Sequence, residues 1–218
     1  VFLGALMLGV AAIGTVGSVA EAMRTGIAGN AQLLLGGDVE LRSLYRPTPQ
    51  GVTSIAEDYG VLSRSLEMRA MLQAGDTRKL VALKAVESNW PLVGTATLGS
   101  GDTVTGALGD GMIVIDPQMA RALDLAPGSQ VRIGEADVVV SDTLTYEPDR
   151  SVSFVTFGPR VLMSRTTLAM TGLDQPGAMI THRTRILLDR QSDREVAVAA
   201  LRDAGRGDGV RVRDVLNA

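Results

Sequence analysis

The sequence predicts an α+β domain following one N-terminal transmembrane helix, and three observations carry that expectation. Residues 1–20 hold no ionisable side chain, the first being Glu21. Beyond Gly37 the apolar residues mostly recur at a period of two, the spacing of half-buried strands. Helical signals after that point are confined to short stretches near 53–59, 117–123, 166–170 and 193–204. With 218 residues the chain is long enough for one or two domains at ~150 residues each.

Fourteen of the first twenty residues are hydrophobic, and a bilayer-spanning helix needs about twenty. Gly4, Gly9, Gly14 and Gly17 would be costly in a soluble helix, whereas small residues let membrane helices approach closely. A cleaved signal peptide, with Ser18-Val19-Ala20 as its cleavage site, and a buried core helix are the alternatives. The helical pattern continues without a break through Glu21, Arg24, Ile27, Ala31, Leu34 and Leu35, and Glu21 and Arg24 can pair at i, i+3. This favours a membrane helix that emerges from the bilayer and runs on. The chain starts at Val1, so a fragment of a longer protein is expected, and the positive-inside rule has no preceding flank to use.

Gly36-Gly37 is the expected helix stop. Residues 38–42 then alternate as a strand, Pro47 and Pro49 break it, and 53–59 is a short helix. The runs 61–74 and 78–87 are strands joined at Gly75-Asp76-Thr77, a hairpin. Residues 88–111, rich in Gly, Ser, Thr and Asp, form a loop or subdomain boundary. Met112–Ile115 is a strand, and Asp116-Pro117 is an N-cap followed by proline at the first helical position. Val131–Ile133 and Val138–Val140 pair across Gly134-Glu135-Ala136, with Thr143–Tyr146 extending the second. Val152–Phe157 is a further strand, and Arg160–Met163 leads to the helix at 166–170. Ile180–Asp189 returns to the first block as a strand. Asp193–Ala204 is an amphipathic helix with Val196, Ala200 and Leu201 inward and Arg194, Glu195 and Arg202 outward, and Val210–Val215 is a last strand.

Composition excludes much chemistry. The chain has no cysteine, so disulfides, thiolate metal sites, iron–sulfur clusters and cysteine nucleophiles are absent. Its single histidine, His182, rules out a multi-histidine metal site, and in an alternating strand beside Arg183 and Arg185 it reads as an exposed or half-buried residue. A net charge of −3 and 3% aromatic residues disfavour nucleic acid as a partner. No P-loop, nucleophile elbow or EF-hand loop is present, Asp110 and Asp116 lacking the ligands between them. The glycine-rich stretch Gly99, Gly101, Gly106, Gly109, Gly111 fails the dinucleotide spacing at Val104 and reads as a surface loop. The acids and bases of 191–218 balance five to five, an ordinary solvated face. No catalytic, cofactor-binding or metal-ligating residue is assigned, and no cofactor.

Several segments together carry a resemblance. They are the apolar helix running into Glu21-Ala22, then Leu34-Leu35-Gly36-Gly37-Asp38-Val39-Glu40 and Leu66-Glu67-Met68-Arg69-Ala70-Met71. Later come Ile115-Asp116-Pro117, residues 125–134, residues 158–164 and Gly172-Leu173-Asp174-Gln175-Pro176-Gly177. In that order they resemble the first periplasmic domain of MacB/FtsX-like ABC transporter permeases, the YbbP-type subfamily in particular, over nearly the whole chain. The resemblance implies a MacB-like periplasmic core domain, with a mixed α/β lobe at 36–94 plus 176–218, an inserted β-rich lobe at 95–175, and residues 1–35 as the transmembrane helix and its periplasmic extension. It implies further helices beyond Ala218, a location in the bacterial inner membrane with the main domain in the periplasm, and no catalytic residues in this domain. Its implied partners are a separate ABC ATPase subunit, a second permease copy, membrane lipid and a periplasmic esterase or other periplasmic protein. The implied activity couples ATP hydrolysis to periplasmic movement, for export or extraction of hydrophobic or lipid-like compounds.

A helix continuous from bilayer to domain is stiff enough to transmit such movement. Two other functions stay open on the residues alone. One is a membrane-anchored periplasmic binding or adaptor module without an ATPase; the other is an anchored hydrolase using Ser, Asp or Glu.

Overall fold

The computed structural model describes residues 32–33, 35–149 and 158–215. The expected membrane helix up to residue 31 and the expected strand Val152–Phe157 lie outside the described residues. Among the described residues no helix is long and apolar enough to cross a membrane.

Ten strands share one mixed sheet. They are β1 (Val39–Leu44), β2 (Gly60–Ala74), β3 (Thr77–Val86), β4 (Thr97–Leu98), β5 (Met112–Ile115), β6 (Gln130–Ile133), β7 (Ala136–Tyr146), β8 (Arg160–Ser164), β9 (Thr181–Leu188) and β10 (Arg211–Asp214). The order across the sheet is β10-β1-β9-β2-β3-β8-β5-β7-β4, with β6 bridging β2 and β7. The helices are α1 (Gln50–Glu57), α2 (Val104–Ala107), α3 (Pro117–Ala122), α4 (Arg165–Met170) and α5 (Arg194–Ala204).

Local chemistry accounts for most of these boundaries. The hairpin β2–β3 closes from Ala74 to Thr77 around Gly75-Asp76; Gly75 has φ +55°, which the first central position of a primed two-residue turn requires. Asp116 caps α3 by accepting from the amides of Gln118 and Met119, with Pro117 at the first helical position. Ser164 caps α4 through Thr167 N. Leu35 is helical, and the amides of Gly36 and Gly37 both return to Gln32 O at 2.8 and 3.2 Å. Gly36 at φ +77° is the left-handed C-terminal stop that the glycine pair predicts.

Strand alternation divides the apolar residues between the two faces of the sheet. On one face Leu66, Leu72, Leu83, Val161 and Met163 join the residues of β5, β6 and β7 in the largest core, which takes in Met119 of α3 and Leu168 of α4. Val39, Leu41, Leu62 and Ile186 pack under α1 and α5. The other face holds a smaller cluster of Val86, Trp90, Val104, Leu144 and Leu162. β3 and β8 are parallel, Leu83 opposite Val161, and they join the two halves of the sheet.

The structure corrects three expectations. The inward stripe of α5 is Ala197, Val198 and Leu201, while Val196 is 61% exposed. Arg194 turns inward to Asp38 and Asp214, so the 191–218 charges are not all a solvated face. The stretch 88–111 contains β4 and α2. Arg194 departs from the expectation because its partners Asp38 and Asp214 lie far away in sequence and inside the fold.

Candidate functional site

The prominent polar feature is a buried set of charges beneath the end of the N-terminal helix. Glu40 on β1, Arg183 and Arg185 on β9, Glu67 on β2, Lys84 on β3 and Arg160 on β8 are all buried. The registers Glu40↔Arg185 and Glu67↔Lys84 place these side chains on one face. Glu147 and Asp149, in the segment after β7, are buried against them.

Lys84 Nζ, with 0% exposure, donates to Glu147 Oε1 at 2.8 Å and Asp149 Oδ1 at 2.7 Å. It also lies 4.3 Å above the Trp90 ring centroid, a cation–π contact. Trp90 Nε1 donates to Asp149 Oδ2 at 2.9 Å, and Arg160 Nε donates to Glu147 Oε2 at 2.9 Å. Arg183 joins Glu40 at 2.7 Å and Glu67 at 3.1 Å. Arg185 Nη1 lies 2.9 Å from Asp149 Oδ2 and 3.1 Å from Ser65 Oγ. Four cations face four carboxylates, so the set is neutral, as its removal from water demands.

The electrostatics agree. Burial alone would raise the Asp149 carboxyl, but Lys84 and Arg185 outweigh it and hold the group well below the usual carboxylate range. Glu147 is lowered too, Lys84 and Arg160 overcoming its burial. Arg183 stays firmly charged, since Glu67 and Glu40 more than offset its desolvation.

Two clamps tie the helix end to this sheet. Arg185 Nε donates to Leu35 O at 2.7 Å, giving a partner to a carbonyl at the helix end that has none within the helix. Asp38 accepts from Gln32 Nε2 at 3.0 Å, Leu188 N at 2.9 Å and Arg194 Nη2 at 2.9 Å, joining the helix end to β9 and α5. Gly36 leaves no room for slack: a Cβ there would sit 2.8 Å from Asp149 Cβ and 2.9 Å from Arg185 Cδ. Chain entry and exit are adjacent, Val39 opposite Asp214 and Val215 N bonded to Asp38 O at 3.1 Å.

Lys84 is enclosed by two carboxylates and an indole, with no opening to a substrate. His182 sits half-buried on β9, opposite Ser43 and Leu66. Burial lowers its pKa below the ordinary 6.5, Asp174 opposing and Arg165 adding to the effect. In the glycine-rich stretch, Ser100 donates through its amide and hydroxyl to Asp142. Asp116 caps a helix, and Asp110 accepts from Thr166 Oγ1. Among the described residues no group of three or more His, Cys, Asp and Glu is placed to hold a metal ion.

Sequence reasoning passed over the charged set. One signal was available: Lys84 interrupts the apolar run Leu80-Val81-Ala82-Leu83-Lys84-Ala85-Val86. Its partners lie 63 and 65 residues away and leave no local trace.

Comparison with solved structures decides the fold. The chain superposes on the periplasmic region of MacB from Actinobacillus actinomycetemcomitans with a TM-score of 0.53 at 12% identity, covering 83% of this chain and 90% of that one. The fold is that of the MacB-like periplasmic domain. The extracellular domain of the noncanonic ABC-type transporter YknZ from Gram-positive bacteria gives 0.54 at 13% identity, covering 81% of this chain and 99% of that one. In sequence, this MacB-like domain is similar to the uncharacterized ABC transporter permease YbbP of Escherichia coli (strain K12), 28% identical over 180 residues. Those residues are 82% of this chain and 22% of that relative's length. No protein-family model matches the chain.

Proposed function

We propose that this MacB-like domain is the extracytoplasmic part of an ABC transporter permease, and that it carries movement rather than catalysis. Residues 1–35 anchor it in the bacterial inner membrane, with the domain on the periplasmic side. ATP is hydrolysed by a separate ATPase subunit, and two permease copies complete the assembly. The cargo is a hydrophobic or lipid-like compound, taken from the membrane and passed to a periplasmic protein such as an esterase. Residues 36–94 plus 176–218 form the lobe next to the membrane, and 95–175 the inserted lobe that it moves.

The observation that carries this reading is the double clamp at the helix end. Arg185 on Leu35 O and Asp38 on Gln32 join the helix to β9, the strand between β1 and β2. A tilt of the helix is thereby imposed on strands and not on a loose loop. The adjacency of Val39 and Asp214 supports a domain set between two membrane segments, since the chain enters and leaves at one end.

The test is a proline in the helix, Ala22→Pro or Ala28→Pro, in the assembled transporter. Proline removes an i→i−4 bond and kinks the rod. ATP hydrolysis should persist while transport is lost. Unchanged transport contradicts the coupling, and failure of any ATPase to co-purify would favour an anchored adaptor.

A further inference from the structure

A cleft of about 610 Å³ opens where β3 ends, between the continuing strand β2 and the junction of β8 with α4. Its volume falls in the ~300–1,000 Å³ range of small-molecule sites. Leu62, Val86, Trp90, Val104 and Leu108 give it an apolar wall, and Arg64 and Arg165 stand at its rim.

The two arginines share one carboxylate poorly. Arg64 Nη1 and Arg165 Nη1 lie 3.7 and 3.6 Å from Glu87 Oε1, too far for hydrogen bonds. Glu87 spends its other oxygen on the Arg64 amide at 2.9 Å. Arg64 has a second partner in Glu57 at 2.9 Å, whereas the Arg165 guanidinium, 45% exposed, has only the 3.6 Å approach to Glu87. An apolar wall below a guanidinium with unused donors suits one chemistry, an alkyl chain ending in an anion, since guanidinium matches carboxylate and phosphate geometry.

The position of the cleft agrees with that chemistry. Leu62 pairs with Ile186, whose carbonyl accepts from Asp38 N at the helix end. The cleft therefore lies at the end of the strands where the N-terminal helix arrives. Its Trp90 wall is also bonded into the charged set through Asp149, which contacts Arg185 and, through it, Leu35 O.

We propose that this cleft binds a single-chain anionic amphiphile, with the chain against Leu62, Trp90 and Leu108 and the carboxylate or phosphate on Arg165 and Arg64. Binding of this ligand stands independently of the coupling proposed above; only its role as cargo rests on that reading.

Trp90 is the sole tryptophan, so its emission reports directly on the cleft. The full chain in phosphatidylcholine vesicles, which add no tryptophan, is titrated with dodecyl phosphate and with dodecanoate, below their micelle concentrations. Dodecyltrimethylammonium and inorganic phosphate are the controls. A saturable change with either chain-bearing anion, little with the controls, and at least ten-fold weaker binding in Arg165→Gln with an unchanged far-UV spectrum support the site. The tighter of the two anions identifies the source as a phosphate-bearing lipid or a fatty acid. Leu108→Ser should weaken binding while leaving the spectrum intact. Equal affinity for the cationic chain, saturation by inorganic phosphate alone, or full affinity in Arg165→Gln would overturn the proposal. Transport measurements play no part in this test, so its failure leaves the coupling account to stand or fall by itself.

Discussion

Arg185 reaches Leu35 O with its Nε at 2.7 Å while its Nη1 holds Asp149 Oδ2 at 2.9 Å. One guanidinium thus joins the last turn of the N-terminal helix to the segment that follows β7. Its planar fork can serve two acceptors at fixed angles, which an ammonium could not do. Several consequences can be measured.

Lys84→Met should be strongly destabilising. It leaves Glu147 and Asp149 in the interior with one cation fewer, and breaking a buried pair costs about 3–5 kcal/mol. Urea unfolding followed by Trp90 emission measures it. The double variant Lys84→Met/Asp149→Asn should recover part of the loss, because three cations then face three carboxylates and Arg160 keeps Glu147.

Gly36→Ala tests the tightness of the helix–sheet joint. A left-handed φ costs a non-glycine residue roughly 1–2 kcal/mol, and the new Cβ would meet Asp149 and Arg185 under 3.0 Å. The loss should exceed that of Gly75→Ala. Gly75 also has positive φ, but nothing lies within 4 Å of its Cβ position. Equal losses in the two variants would mean that the joint has room to give.

Acid should unfold the domain in two stages. His182, Glu147 and Asp149 are all harder to protonate folded than unfolded. The unfolded chain therefore binds protons first as pH falls, and stability drops in that direction. His182 contributes fully above its ordinary 6.5 and begins to lose its share below it. The carboxylates contribute fully above their ordinary 4.5 and 3.8, and theirs is lost as pH falls below those values. Melting temperature against pH should be flat above about 7 and steepest below about 4. His182→Gln should remove the upper stage and Asp149→Asn should shrink the lower one.

What was legible in the sequence follows from the range of the interactions. The β2–β3 hairpin, the Asp116 cap and the Gly36 stop are set by neighbours a few residues apart, and their signals are local. The parallel pairing of β3 with β8, across more than 70 residues, has no such signal. Arg183 and Arg185 sit in the polar stretch Thr181-His182-Arg183-Thr184-Arg185 and read as exposed strand residues, while Lys84 shows only as a break in an apolar run. Only Glu147, Asp149 and Glu40, brought over them by the tertiary fold, make them interior. For the same reason Arg194 reads as a solvated helix residue until Asp38 and Asp214 are placed beside it.

Absence of cysteine makes the decisive measurement direct. Spin labels at Ser192→Cys and Ala122→Cys, both exposed, report the distance between the α5 and α3 sides of the domain within the permease–ATPase assembly proposed above. The distance distribution should shift when nucleotide is trapped on the ATPase subunit, and the shift should vanish in Ala28→Pro while hydrolysis continues. The same shift with and without the proline, or no shift in the parent, would contradict transmission through the helix.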